Sequence, residues 1–192
     1  MNTDPRPMYA WQDIPWHKAE RAVFKLQQRI YRASRRGDVK TVRTLQRLVM
    51  KSWYARLLAT RRVTQDNRGK KTAGVDGMKS LTPPQRLHLS HQLTLGLKAK
   101  PVRRVWIPKP GTEEQRPLGI PVMNDSAAQG LAKLALEPEW EAKFEPNSYG
   151  FRPGRSGHDA IGPSMPASTN RTSTSWMPTL RNASTASTSR RY

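Results

Sequence analysis

VRRVWIPKPGTEEQRPLGIPVMNDSAAQGLAKLALEPEWEAKFEPNSYGFRPGRSGHDAI, residues 102–161, reads as an ordered run of elements. Residues 102–107 (VRRVWI) are β-branched and aromatic enough to predict a strand. Residues 108–115 hold the turn formers, and 116–120 predict a returning strand, so the pair makes a hairpin. Lys109 at the turn and Arg116 entering the second strand can point at one anionic group, lysine as a compact charge and arginine through its fork of donors. Gly111 and Gly119 allow close backbone approach. An ordinary exposed basic hairpin accounts for the same residues, so on this stretch alone both readings stand. Asp125 is placed to cap a helix running to about Glu137. PEWEAKFEP predicts a shorter helix closed by prolines, with Trp140 and Phe144 inward and glutamates outward. YGFRPGR is irregular, and Ser156 can start another helix.

Working outward, the segment 17–71 carries 17 Lys/Arg against three acids. Val23, Leu26 and Ile30 recur at helical spacing, as do Val42, Leu45, Val49 and Trp53. Gly37 followed by Asp38 is a C-terminal stop and an N-cap between them. Two amphipathic helices are therefore expected, with arginine over the rest of their surfaces. Such a surface can track phosphates; a merely solvated basic face is the other account. Residues 67–77 (NRGKKTAGVDG) form a glycine-rich basic loop, and Leu87, Leu93 and Leu97 give helical spacing over 81–97.

The whole chain has 34 Lys+Arg and 14 Asp+Glu, a net charge of +20 and a pI of about 11.2. A protein so positive attracts phosphate backbones by counterion release, so nucleic acid is the expected partner. No apolar run approaches the roughly 20 residues that span a bilayer, so no membrane partner is expected. No secretory signal is visible in residues 1–16, and cysteine is absent, which removes disulfides and thiolate zinc sites. The plain expectation is a cytoplasmic protein. Neither a GxxxxGK[ST] nor a helix-opening GxGxxG occurs. His17, His88, His91 and His158 lack metal-ligand spacing, and Glu137, Glu139, Glu141 and Glu145 read better as one helix face than as a catalytic pair. No catalytic and no metal-binding residue is expected.

The segment 102–161 resembles the first blocks of group II intron reverse transcriptase/maturases, and KKTAGVDG resembles the block just ahead of them. The similarity covers roughly 67–161. It implies an α+β fold: a helical N-terminal extension and a partial fingers region of a right-hand polymerase, followed by a disordered C-terminal tail. The implied divisions are a flexible lead at 1–16, a basic helical extension at 17–66, fingers at 67–161 and the tail at 162–192. By motif match, Lys109 and Arg116 fall where the fingers hairpin grips the triphosphate of the incoming nucleotide. Lys70, Lys71, Gly74 and Asp76 fall in the loop near the template. Arg103 and Arg104, with Tyr149, Gly150, Phe151, Arg152 and Arg155, complete the implied template and RNA contacts. Ser126 and Gly130 depart from the family, which usually has a basic residue and alanine there. The full-length family enzyme uses Mg2+ held by palm aspartates, one in a stretch resembling YVLDADIAECFD and a pair in a YADD-like box. Neither block occurs in this chain, so it is expected to retain no cofactor and to be inactive as a polymerase.

At Gly162 the composition breaks. The last 31 residues hold 13 Ser/Thr, no lysine and no acid, the composition of a disordered segment. One permitted back-translation of 162–187, read two bases later, gives AIYASINQQDKYVLDADIAECFDSI, which continues the family pattern. Trp176, Met177 and Pro178 force Asp-Ala in that frame whatever codons are used. The tail is therefore expected to be a frameshift product. Two functions follow: a truncated reverse transcriptase/maturase that holds group II intron RNA without polymerising, or a standalone RNA-binding splicing helper. Polymerisation would need carboxylates from another chain.

Overall fold

A computed structural model describes residues 10–67, 72–96, 98–150 and 152–162. The chain forms two compact units, 1–144 and 145–192. The first is α+β, five α-helices and one two-stranded antiparallel sheet among the described residues. The tail at 163–192 lies outside the described residues.

Helix α1 (Trp16–Arg35) buries Ala19, Val23, Ile30 and Ala33 along one stripe. It ends as the sequence requires. Gly37 takes the left-handed conformation (φ 71°), its N–H donates to Ser34 O, and the Asp38 N–H donates to Ala33 O, which satisfies the last carbonyls. The Asp38 carboxylate then accepts the Thr41 N–H at 3.0 Å and caps α2 (Val39–Lys51). That bond from Thr41, with Arg36 and Lys40 nearby, holds the Asp38 carboxyl below the usual aspartate range.

The expected pair of helices is three. At Ser52 the backbone turns extended, and a new helix, α3 (Trp53–Arg61), starts there before a π-helical turn, Arg62–Asp66. Trp53 is thus not the end of the α2 stripe. It packs on the His91 ring, 4.3 Å away, beside a small cluster of Trp11, Ile14 and Leu57. Residues 10–16, part of the lead expected to be flexible, hold that cluster: Trp11 is 5% exposed and Ile14 7%. Trp11 meets Trp16 edge-on at 5.0 Å, and the Arg61 guanidinium lies 4.7 Å over the Trp16 ring. Two tryptophans and an isoleucine gain more by burial than a proline-rich lead gains by staying solvated.

Helix α4 (Pro83–Gln92) is shorter than the 81–97 spacing predicts; Gln85 reaches back to the Thr82 N–H at 2.9 Å, and Leu93, already outside, is buried. The hairpin comprises β1 (Arg103–Pro108) and β2 (Gln115–Ile120). Helix α5 (Met123–Glu141) follows and packs among α1, α2 and α3 through Ala127, Leu131 and Ala135.

Two expectations for α5 fail. Val122, not Asp125, stands at its N-cap; the Asp125 carboxylate instead accepts the Lys100 N–H at 2.8 Å. The helix also runs through Pro138 without a break. A helical proline has no N–H for the carbonyl four residues back. Here α1 supplies the missing donor, as Gln27 Nε2 donates to Leu134 O at 2.9 Å, and Ser34 Oγ donates to Glu139 O near the helix end at 3.2 Å. Continuity rotates Trp140 and Phe144 outward, 51% and 46% exposed, while Glu139 turns in to accept from Gln46 Nε2 at 2.7 Å. With Leu136, they leave an exposed apolar strip on this helix.

The Gln27→Ala variant is expected to lose about 1 kcal/mol in urea unfolding, the usual worth of one such bond. In a Pro138→Ala background the restored N–H serves Leu134 O, so the loss should shrink. An equal loss in both backgrounds would mean that Gln27 does not compensate for the proline.

Candidate nucleic-acid interface

The hairpin register pairs Arg103 with Ile120, Val105 with Leu118 and Ile107 with Arg116. Side chains alternate across a strand, so Lys109, Glu114 and Arg116 share one face with Arg103. Arg104 and Trp106, opposite Gly119 and Pro117, lie on the other. Lys109 N–H donates to Glu114 O at 2.9 Å, and Gly111 (φ 76°) turns the chain. Lys109 and Arg116 are diagonal neighbours, about 7–8 Å apart by strand geometry, so a single phosphate group fits between them. In the free protein the Lys109 ammonium is held by the Glu114 carboxylate at 2.5 Å. The hydrogen bond from Lys109, and then its charge, keep the Glu114 carboxyl below the usual glutamate range.

The glycine-rich loop packs at the base of this hairpin. Gly74 is buried against the link between β2 and α5, and a methyl there would lie 2.9 Å from both Pro121 O and Val122 Cα. Backbone cannot yield as a side chain can, so only glycine fits. The loop closes with the Gly77 N–H on Gly74 O at 3.3 Å, while Asp76 accepts the Met78 N–H at 3.2 Å. Asp76 therefore shapes the turn. A cleft of about 220 Å3 between loop and strand is lined by Thr72, Gly74, Met78, Leu118 and Ile120. Lys70 and Lys71 lie outside the described residues.

The second unit is described by itself. Its Arg155 guanidinium lies 5.6 Å over the Tyr149 ring, and Arg152 Nη1 donates to Glu145 O at 2.9 Å and Ser148 O at 2.6 Å. Arg152 thus braces its own turn. Gly150 is exposed, and Phe151 lies outside the described residues. Ser156 and Asp159 bond reciprocally, with the Ser156 N–H on Asp159 Oδ2 at 2.7 Å, opening a helical turn over 157–162 as expected of Ser156. These bonds, Ser156 Oγ first, hold the Asp159 carboxyl below the usual range.

The sequence reading did not single out one basic group. Arg32, Arg35, Arg36, Lys40, Arg43 and Arg47 are all exposed around the α1–α2 turn, and none has a carboxylate within ion-pair distance among the described residues. Its signal was the Gly37–Asp38 turn itself, which brings the C-terminal arginines of one helix to the first turns of the next.

Residues 11–93 match the family described as the N-terminal domain of reverse transcriptase. The chain is 36% identical to Maturase-like protein 1 of Euglena gracilis over 153 residues, 74% of this chain and 31% of that protein. It is 38% identical to Protein YkfC of Escherichia coli over 125 residues, 62% of this chain and 32% of that protein. A stretch of 62 residues, 32% of this chain and 10% of its relative, is 45% identical to the group II intron-encoded protein LtrA of Lactococcus lactis. The chain carries an N-terminal portion of the group II intron reverse transcriptase/maturase type. It spans about a third of the length of the first two of these relatives.

Among the described residues, no group of three or more His, Cys, Asp or Glu could hold a metal ion. No helix among them is long and apolar enough to cross a membrane.

Removing the carboxylate that occupies Lys109 is expected to strengthen the site. Glu114→Gln should bind an oligouridine more tightly at neutral pH with a similar salt slope, because wild-type Lys109 reaches the same phosphate only after releasing Glu114. Glu114 has a lowered folded value, so it stays charged down through the normal glutamate range and releases Lys109 only as pH falls through that lower value. The gap between wild type and variant should then close, because protonated Glu114 no longer competes for Lys109. Anisotropy titrations across pH check this, and a constant gap at acid pH would rule out Glu114 as the competitor.

Proposed function

We propose that this chain is the RNA-gripping front of a group II intron reverse transcriptase/maturase: the basic helices hold intron RNA, and the hairpin and glycine loop are its fingers. Lys109 and Arg116 bind phosphate, in the family's manner that of the incoming nucleotide. Arg103, Arg104, Gly74 and Asp76, with Lys70 and Lys71, border the template, and the 149–155 block adds Tyr149, Arg152 and Arg155. The observation that carries this reading is that Lys109 and Arg116 share one exposed hairpin face, set on a glycine-only loop, in a chain with the N-terminal domain of reverse transcriptases. A cytoplasmic location belongs to the same proposal. So does inactivity as a polymerase of these 192 residues by themselves, which do not include the aspartate blocks of the resembled family.

Binding of the full chain to a folded group II intron RNA, and to a shuffled RNA of equal length, tests the reading. Affinity should fall steeply between about 50 and 200 mM salt. Lys109→Ala/Arg116→Ala should flatten the slope by about 1.4 on single strands, two contacts at about 0.7 each. No primer extension is expected with nucleotides and Mg2+. Binding that keeps its preference for the folded intron at the higher salt would favour a standalone splicing helper instead, and extension would overturn the inactive assignment.

The proposal extends to the reading frame beyond residue 161. Sequencing the coding DNA from an independent sample is expected to reveal, in the shifted frame, an aspartate strand followed by a YADD-like box. If neither alternative frame continues the family pattern, the frameshift reading is wrong and a short RNA-binding protein replaces it.

A further inference from the structure

The hairpin face opposite Lys109 and Arg116 has no role in the preceding reading beyond Arg104. It carries Trp106, 54% exposed, which has no ring partner and no hydrogen bond for its indole N–H among the described residues. Large aromatics ordinarily bury most of their surface or use their polar edge. Across the strand stand Pro117 and, diagonally, Gly119 and the exposed Gln115. None of them covers the indole, which stays 54% exposed. Gly119 has little room for a side chain, since a methyl there would meet Val102 Cγ2 at 3.3 Å. Arg104 sits two residues along the same face, exposed and without an ion-pair partner among the described residues. A bare ring on a rigid strand beside an unpaired guanidinium is the pairing that unpaired nucleotides use: the ring stacks on any base, and the cation holds the adjoining phosphate. Duplex RNA hides its base faces in its own stack and offers the ring nothing.

We propose that the Arg104–Trp106 face of the hairpin is a stacking platform for an unpaired nucleotide of bound RNA, separate from the phosphate-binding face that carries Lys109 and Arg116. It rests on the RNA-binding reading above and adds a preference for single strands.

The test uses the full chain with a labelled oligouridine and, separately, an RNA duplex of the same length. Trp106→Ala and Trp106→Leu should each weaken oligouridine binding about tenfold, within the range of one base–aromatic stack. Trp106→Phe should stay within about threefold of wild type, since a smaller ring still stacks. Duplex affinity and the salt slope should not move in any of the three, because stacking releases no counterions. Arg104→Ala should flatten the slope on oligouridine by about 0.7. Thermal midpoints check that the exposed site tolerates the changes. Full affinity in Trp106→Leu, with wild type binding RNA, overturns the platform alone and assigns the ring to a protein contact. Equal losses on duplex and single strand also overturn it. A wild-type chain that binds neither RNA overturns the RNA-binding reading itself, and the platform with it.

Discussion

Between the exposed hairpin and the buried start of α5 the chain has two residues, Pro121 and Val122, and Gly74 closes on their backbone within 2.9 Å of any Cβ it could carry. Three things meet at that contact. The glycine loop packs on this link, β2 leaves the sheet beside it, and Met123 enters the helical core where Leu131 and Ala135 continue it. A two-stranded sheet is marginal in water by itself. Here nearly every position of β1 and β2 is exposed or only half-buried, so the hairpin draws its placement from this base and not from packing of its own faces. An element anchored at one end and bare on both sides is suited to being covered by a ligand.

The same geometry explains the Lys109–Glu114 pair. The two residues face each other across the turn, joined also by the backbone bond from Lys109 N to Glu114 O. Exposed pairs of this kind contribute little to stability, but they hold a flexible lysine near one position. A phosphate with two negative oxygens, and Arg116 on its other side, is a stronger partner than one carboxylate. On the proposed reading, the pair is a placeholder for a polyanion.

The elements legible in the sequence were those whose ends are written locally. The Gly37–Asp38 turn, the hairpin with its glycine at 111, and the Ser156 start each depend on residues within five positions, and each is where the residues put it. The misreadings were all settled by distant partners. Pro138 looks like a helix end until Gln27, more than a hundred residues upstream, donates to the carbonyl it leaves open. Once the helix continues, Trp140 and Phe144 must rotate outward, and no local pattern gives that sign. Ser52 breaks a hydrophobic stripe that looks continuous, because Trp53 finds His91 and the Trp11 cluster. Gly130, which departs from the family, sits where a methyl would meet Ala59 at an ordinary 3.7 Å, so alanine fits there equally well. For the candidate site, the sequence places Lys109 at the turn and Arg116 at the start of the returning strand; the division of the arginines between two hairpin faces needed the strand register.

The excess positive charge reaches the surface because most of the described acids have structural duties. Glu20 and Asp66 flank Arg61, Asp38 caps α2, and Asp76 shapes its loop. Asp125 takes the Lys100 N–H, Glu137 and Glu139 pair with lysines one turn on or back along the same helix, and Asp159 caps the second unit. Few are left to screen the arginines at the α1–α2 turn or on β1. A net charge of +20 distributed that way is a field that points outward, and on the hairpin face of Lys109 and Arg116 the carboxylate paired with a cation is that of Glu114. Local acid placement, more than the total charge, therefore decides which cations of the hairpin are paired and which are not among the described residues.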